Sequence, residues 1–338
     1  MSRRLAAAVL ALLVAPALPA AIPSASAAVP APCDRTVITL PVIGTDGAVV
    51  VPVSIDGVPA AAEIEPRAYP SFVSDPAGLT LPRLGRAGTE ALAGSERGDE
   101  TAIDLQLGDA TMAGLHAVVL DEPPRPPVAG RRVAMVLGAN LLDGYQVLLD
   151  LPNRRLTLFG PGGSSCPDPA AAIPGRPVAV TLREGEGGTG QGGRIDVVDA
   201  VLDGFSLPME ISLGSNDTIV RRAVARRLGV TGAMLEADPQ VRTRSAAVRV
   251  GWRHEFNSLS IGAYTVSRPR IDVQRDLNYD ALGLDLFAGK TVLFDFPGRR
   301  LVFDPRPPII DAGRASALSS TQTRNADTAV EQDRLPRS

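Results

Sequence analysis

The residues best suited to chemistry occupy the same position in two similar blocks of this chain. Glu65 follows Glu63-Ile64 in the first block, and Ser212 follows Glu210-Ile211 in the second, 147 positions later. A carboxylate such as Glu65 can act as a general acid or base. A serine hydroxyl becomes a nucleophile when a base lies within hydrogen-bonding distance. These two positions are therefore the first candidates for a functional site.

The similarity between the two blocks extends over much of the chain. Residues 55–73 align without a gap on residues 202–220, and a second pair of blocks, beginning at Leu137 and Leu282, aligns at an offset of 145. A repeat of this length has the size of a domain rather than of a solenoid unit. We therefore predict two homologous lobes. The predicted organisation is a first lobe at residues 28–160, a linker at 161–176 and a second lobe at 177–306.

The elements that must hold the two candidates are predicted to be β-strands. In each block an apolar segment runs into an Asp-Gly pair, Asp56-Gly57 or Asp203-Gly204, which is typical of a tight hairpin turn. One longer helix is predicted over Ile219–Leu228, because apolar residues recur there at helical spacing and a glycine follows. One-turn helices are predicted at 139–142 and 284–287. The chain is therefore predicted to be all-β.

The order of these elements resembles that of the retropepsin-like and pepsin-like aspartyl proteases, in the tandem two-lobe form found among exported bacterial proteins. The resemblance covers about Val37 to Asp304 and is strongest in the second copy. There the matching motifs are Gly214-Ser215, Thr218-Ile219-Val220, Ala223 to Gly229 and Leu282-Gly283-Leu284-Asp285-Leu286. The resemblance implies an all-β, bilobal fold of two homologous β-barrel-like lobes, with a peptide-binding cleft between them.

The chain departs from the family at the catalytic positions. In that family each lobe supplies one Asp from an Asp-Thr-Gly loop, and the two carboxylates, about 3 Å apart, share a proton and hold the attacking water. Here Glu65-Pro66-Arg67 and Ser212-Leu213-Gly214 stand at these places. Ser212 cannot ionise, and neither Pro66 nor Leu213 has the threonine hydroxyl. The resemblance therefore implies a degenerate dyad.

The leading interpretation is a catalytically inactive homologue that binds a peptide or protein in its interlobe cleft. We hypothesise that Glu65 pairs with Arg67 or with a ligand amine. The two alternatives are an active aspartic-type endopeptidase and an exported scaffold without a ligand. The residues expected to line the cleft are Glu65, Arg67, Ser212, Gly214 and Ser215.

Other ionisable residues have simpler interpretations. Asp217 precedes the predicted helix and is expected to cap it rather than to catalyse. Asp150 and Asp295, each before an Arg-Arg pair, are expected to be ion-paired residues at strand ends. A serine-type site would need His116 or His254 as the base for Ser212. Trp252, the single tryptophan, is expected to be a packing residue or a contact at the cleft rim.

The N-terminus is typical of an export signal. Arg3-Arg4 precede an apolar run at Leu5–Leu18, and Ala25-Ser26-Ala27 provides a small-residue cleavage pattern. The apolar run is short and interrupted by proline, so we expect no stable membrane span after processing. We therefore predict a signal peptide at residues 1–27 and a secreted or periplasmic mature protein.

The amino-acid composition limits the partners and cofactors that are expected for this protein. The net charge of −3 and the scattered arginines argue against a nucleic-acid partner. In an oxidising compartment the only two cysteines, Cys33 and Cys166, are expected to form one disulfide. With two histidines and no ligand spacing, we expect no metal and no other cofactor. The chain is expected to be a monomer with a disordered tail at 307–338.

Overall fold

The structure is a computed structural model of the full chain. It describes residues 33–45, 47–74, 79–91, 94–121, 125–185, 196–243, 249–275 and 277–306. The predicted signal peptide (1–27) and tail (307–338) lie outside the described residues. Strands dominate this part of the chain, so the all-β prediction is confirmed.

In its described residues, the first half contains ten strands and one short helix. The strands are β1 (Val37–Pro41), β2 (Val50–Ile55), β3 (Val58–Ile64), β4 (Ser71–Ser74), β5 (Gly85–Ala91), β6 (Gly94–Leu107), β7 (Ala110–Leu120), β8 (Val133–Leu137), β9 (Gln146–Asp150) and β10 (Arg155–Phe159). The helix α1 (Ala139–Leu142) follows β8 as predicted.

The second half contains thirteen strands in the described part. They are β11 (Val178–Thr181), β12 (Arg183–Glu184), β13 (Asp196–Leu202), β14 (Phe205–Ile211), β15 (Ile219–Arg221), β16 (Gln240–Thr243), β17 (Arg249–Glu255), β18 (Ser258–Ile261), β19 (Tyr264–Ser267), β20 (Arg270–Gln274), β21 (Ala281–Leu282), β22 (Thr291–Asp295) and β23 (Arg300–Phe303). The helices are α2 (Arg222–Arg227) and α3 (Gly232–Ala237), with 3-10 helices at Pro169–Ala172 and Leu284–Phe287.

Each half forms its own sheet. The first has the order β2-β3-β8-β4-β7-β6-β5, and an additional pairing of β2 with β6 closes six of its strands into a barrel. The second has the order β16-β17-β20-β15-β21-β14-β13-β18-β19, with β12 paired to β13. Closure and alternating burial place Val, Leu and Ile side chains inside, which is why the aromatic-poor sequence can form a core.

A third sheet is shared by the two halves. Its order is β1-β10-β9-β22-β23-β11, with three strands from each half. The junction is the antiparallel pairing of β9 with β22, in register from Gln146 opposite Asp295 to Asp150 opposite Thr291. The two halves therefore belong to one continuous hydrogen-bonded structure.

The predicted turns and strand-end ion pairs are confirmed. Asp56 and Asp203 have positive φ values of 48° and 47° at the hairpin turns, each followed by a glycine. Asp150 pairs with Arg155, and Asp295 pairs with Arg300.

The predicted disulfide is also present. Cys33 and Cys166, 133 residues apart, are bonded to each other, which ties the segment before β1 to the segment between the halves.

The helix prediction over Ile219–Leu228 was wrong at its N-terminal end. Ile219–Arg221 form β15, because their backbone groups pair in parallel with Asp272–Gln274 of β20. The helix starts only at Arg222. Among the described residues, none of the helices has the length and apolar character needed to traverse a bilayer.

Candidate functional site

Glu65 and Ser212 stand at equivalent ends of two strands. The Glu65 N–H donates to the Leu137 carbonyl at the end of the parallel pair β3–β8, over 3.0 Å. The Ser212 N–H donates to the Leu282 carbonyl at the end of the parallel pair β14–β21, also over 3.0 Å. The same backbone connection therefore positions both candidate side chains.

A hydrogen-bonded side-chain hydroxyl group fixes the loop that follows each candidate residue. In the first half the Ser71 hydroxyl donates to Asn140 Oδ1 over 2.6 Å and accepts the Gly138 N–H over 2.8 Å. In the second half the Thr218 hydroxyl donates to Asp285 Oδ1 over 2.7 Å and accepts the Gly283 N–H over 3.1 Å. The repeated Leu-Gly-x-Asn/Asp motif thus holds both loops in place.

The glycine of this motif is required by close backbone approach. A Cβ atom on Gly138 would lie 2.2 Å from the Ala68 carbonyl oxygen, and one on Gly283 would lie 2.4 Å from the Asp217 carbonyl carbon. Neither neighbour is a flexible side chain. Any other residue would therefore push the loop away from the strand end.

The Glu65 carboxylate reaches across to the second half. Its Oε1 accepts the Arg67 N–H over 2.9 Å. Its Oε2 accepts the Ser212 hydroxyl over 2.8 Å and the Gly214 N–H over 3.0 Å. The Glu65 side chain therefore contacts both loops with one carboxylate.

This carboxylate is almost completely removed from solvent. Glu65 is 2 % exposed and Ser212 is 0 % exposed. Burial raises the pKa of the Glu65 carboxyl above its ordinary value, against the lowering effects of the Arg67 charge and of the three hydrogen bonds. The position is a buried polar centre and not an open acid–base pair.

Arg67 forms a second connection between the halves. Its Nε donates to Glu210 Oε2 in an ion pair, and its Cζ lies 3.7 Å from the centroid of the Tyr279 ring. Arg67 is 7 % exposed, and its Nη1 has no hydrogen-bond partner among the described residues. The hypothesis of a Glu65–Arg67 side-chain pair needs correction, because the guanidinium pairs with Glu210 and only the Arg67 backbone contacts Glu65.

The remaining predicted cleft residues have different surroundings. Gly214 contacts Glu65 through its N–H. The Ser215 hydroxyl donates to the Asp217 carbonyl over 3.0 Å, and the Ser215 carbonyl accepts the Leu284 N–H over 2.9 Å. The structure thus brings Glu65, Arg67, Ser212 and Gly214 together, whereas the Ser215 hydroxyl is directed to its own loop.

A partly buried acidic cluster next to this loop was not predicted. Arg253 pairs with Asp217 over 2.7 Å and with Asp272 over 2.8 Å. Burial and the charge of Asp217 raise the pKa of Asp272 to about 7, although the Arg253 hydrogen bond lowers it. Burial and Asp217 also raise the pKa of Asp285 to about 6. Only Asp285 carries a sequence signal, because it belongs to the Leu-Gly motif.

Asp217 therefore has a different role from the predicted helix cap. The N-cap residue of α2 is Arg221, and no side chain caps that helix end. Asp217 instead lies in the loop before β15 and pairs with Arg253 on β17. The prediction failed because the helix starts later than the apolar spacing indicated.

Neither histidine is a base for Ser212. His254 Nδ1 lies 2.6 Å from Asp238 Oδ2, and His116 Nε2 lies 3.9 Å from Glu100 Oε1. The group that accepts the Ser212 hydroxyl hydrogen is Glu65. Trp252 is a largely buried residue of β17, 8 % exposed, in agreement with the packing interpretation.

Comparisons with known proteins agree with this architecture. No protein-family model and no curated protein matches the sequence. An aspartic proteinase from Irpex lacteus is similar in structure over 82 % of this chain and 99 % of its own, with 11 % identity and a TM-score of 0.50.

Two further solved structures match with lower scores. Basic 7S globulin from soybean matches over 82 % of this chain and 96 % of its own, with 12 % identity and a TM-score of 0.46. A retropepsin-like aspartic protease from Rickettsia conorii matches over 38 % of this chain and 89 % of its own, with 17 % identity and a TM-score of 0.30. From its sheets and its similarity to the Irpex lacteus enzyme, the chain has the all-β, bilobal fold of the aspartic proteases.

Proposed function

We propose that this protein is a non-catalytic homologue of the aspartyl proteases that binds a peptide or protein in the cleft between its lobes. One observation carries the proposal. A single carboxylate, that of Glu65, lies where the enzymes need two, and its oxygens accept hydrogen bonds from Arg67, Ser212 and Gly214.

The chemistry of peptide hydrolysis requires more than this centre contains. Two carboxylates must share a proton and hold a water between them. Ser212 provides a neutral hydroxyl in place of the second acid, and the buried Glu65 oxygens are engaged with protein donors. Loss of one member of a catalytic set commonly lowers turnover by ~10⁴-fold or more.

The loop residues beside the dyad positions support the same conclusion. Pro66 has no N–H to donate. The Leu213 carbonyl accepts the Val49 N–H from the first half over 2.9 Å, and the Leu213 side chain is buried. These backbone and apolar contacts replace the hydroxyl contacts expected of threonine. The loops are thus held together without the groups that orient a catalytic water.

The proposed binding role is supported by the fold. The Irpex lacteus neighbour is an aspartic proteinase, and the family resemblance of the sequence implies a peptide-binding cleft between the lobes. Each candidate loop is followed in the chain by a β-hairpin, β5–β6 after the first loop and β16–β17 after the second.

We also propose that the protein is exported, because the signal-like N-terminus and the Cys33–Cys166 disulfide both suit an oxidising compartment.

A proteolysis assay tests the loss of catalysis. Purified mature protein is incubated with denatured substrate proteins from acidic to neutral pH, with and without a pepsin-type transition-state inhibitor. We expect no inhibitor-sensitive cleavage above that of the Glu65→Ala variant. Cleavage that the inhibitor blocks and that Glu65→Ala abolishes would instead identify an active aspartic-type endopeptidase.

A peptide-library capture tests the binding role. We expect enrichment of a related set of peptides, and we expect Arg67→Ala to weaken their binding while the exposed control Arg176→Ala does not. Thermal unfolding of each variant distinguishes a lost contact from a lost fold. Failure to enrich any peptide would reject the binding role.

A scaffold without a ligand is the second candidate function. The observation that favours it is the burial of the centre, because Glu65, Arg67 and Ser212 are all less than a tenth exposed. If the library captures nothing, this function is the better description.

A further inference from the structure

A second feature lies on β17, on the face opposite to Arg253. Arg222 Cζ and Arg275 Cζ lie 5.5 Å and 5.8 Å from the centroid of the Trp252 ring. Both distances are within the range of cation–π attraction. We call Arg222, Trp252 and Arg275 the arginine–tryptophan surface.

The two cations of this surface lack the carboxylate partners found elsewhere. In the described part of the chain, most arginines near an acid form ion pairs, such as Arg221 with Asp280 and Arg253 with Asp272. Neither Arg222 nor Arg275 has an ion pair among those residues. Arg275 is exposed and Arg222 is half-buried, so an anionic group from outside can reach both guanidinium groups.

Arg222 also has a like-charged neighbour. Arg226 lies four residues later on the same face of α2, so a second positive charge lies one turn away. A negatively charged partner would relieve this repulsion.

The surface also has the composition of a protein-binding site. Arginine and tryptophan are the residue types most enriched where binding energy concentrates. Val250 lies two residues before Trp252 on the same face of β17 and is 45 % exposed. The neighbouring β16 is the terminal strand of its sheet, and Gln240 of β16 is paired with Trp252. An extended chain can therefore find apolar, cationic and backbone contacts together.

We propose that the arginine–tryptophan surface binds an acidic, extended segment of a partner polypeptide. The carboxylates of that segment pair with Arg222 and Arg275, and its apolar side chains contact Val250 and the edge of Trp252. This inference is independent of whether the interlobe cleft holds a ligand.

The single tryptophan makes the site directly observable. The chain has one tryptophan, so its emission reports this surface alone. The probe is a labelled peptide built from Glu, Val and Ser, and the matched peptide has Gln in place of each Glu. We expect the Glu peptide to change the Trp252 emission and to bind more weakly as salt is added, because the contacts are charge pairs.

Matched variants test the role of the two arginines. We expect the double variant Arg222→Gln/Arg275→Gln to weaken binding of the Glu peptide about tenfold or more. The control Arg131→Gln/Arg176→Gln removes the same charge from other exposed positions and is expected to change binding by less than about twofold. Circular dichroism establishes that both variants remain folded.

Three outcomes would overturn the proposal. The first is equal binding of the Gln peptide. The second is unchanged binding by the Arg222→Gln/Arg275→Gln variant, or loss of binding only in Arg67→Ala, which would place the peptide in the cleft. The third is arginine-dependent binding to phosphatidylserine vesicles without binding to the Glu peptide, which would identify a lipid surface instead.

Discussion

The Ser212 hydroxyl donates a hydrogen bond to Glu65 Oε2 over 2.8 Å, although the two residues are 147 positions apart in the chain. Together with the Gly214 N–H, this bond makes Glu65 a connection between the two halves. The polar groups at the meeting point thus stabilise the association of the lobes. Each oxygen of this buried carboxylate already accepts a hydrogen bond from a protein donor.

Removing the Ser212 hydroxyl should destabilise the protein. Ser212→Ala leaves a buried carboxylate with one donor fewer, and such a loss costs about 1–3 kcal/mol. We expect a free energy of unfolding lower by this amount in urea denaturation. Ser165→Ala, at an exposed position, is the control and should change it by less than about 0.5 kcal/mol. Equal stability of the two variants would contradict a connecting role for Ser212.

The acidic cluster should make stability fall as the pH rises towards neutral. The folded-state pKa values of Asp272 and Asp285, about 7 and about 6, lie above the ordinary 3.8, so folding retains protons that the unfolded chain releases. This contribution is complete below about pH 4 and is lost as the pH rises through the folded values.

The variant Asp272→Asn isolates this effect because its side chain stays neutral. We expect it to gain stability relative to the unsubstituted protein as the pH rises from 4 to 8, by more than about 1 kcal/mol. Urea denaturation across this range measures the difference. Asp109→Asn, which removes an exposed carboxyl, is the matched control. A pH-independent difference for Asp272→Asn would refute the assignment.

Loss of the disulfide should lower stability substantially. Cys33 and Cys166 are 133 residues apart, and closing a loop of this order is worth about 4–5 kcal/mol on the chain-entropy model. We expect Cys33→Ala/Cys166→Ala to lower the free energy of unfolding by up to this amount while retaining the fold. A loss below about 1 kcal/mol would indicate that structure in the unfolded chain already restrains these ends.

The single lysine should report global unfolding. Lys290 is buried, and its Nζ donates to the Tyr264 hydroxyl over 3.2 Å and to the Asp304 carbonyl over 3.1 Å. Burial lowers the pKa of this ammonium to about 8, which would make an accessible amine reactive. We nevertheless expect an amine-specific reagent to leave Lys290 unmodified in the native protein and to label it in urea, as measured by peptide mass spectrometry. Rapid native labelling would contradict the described packing.

Local features of the fold were predictable from the sequence because neighbouring residues determine them. The Asp56-Gly57 and Asp203-Gly204 pairs adopt the positive φ values that a tight hairpin needs. The start of α2 was predicted incorrectly, since Ile219 has both helical spacing and a strand partner in Asp272, and the sheet pairing dominates. Pattern alone cannot reveal which partner a segment finds.

Only part of the candidate site could be predicted from the sequence. The repeat placed Glu65 and Ser212 together and the structure joins them, but Arg67 pairs with Glu210, which is 143 positions away. No spacing rule connects those two residues. The pairing of Asp217 with Arg253 could not be predicted from the sequence either, because it depends on how β17 packs over the loop.

The sheet shared by the two halves determines how fragments of this protein should behave when the chain is cut between the halves. Because β9 and β22 are central neighbours in it, a fragment ending in the segment between the halves would leave the inner edge of β9 without its partner strand. Exposed edges of this kind recruit other strands. Each half made alone is therefore expected to self-associate, and the two halves produced together are expected to rebuild the shared sheet.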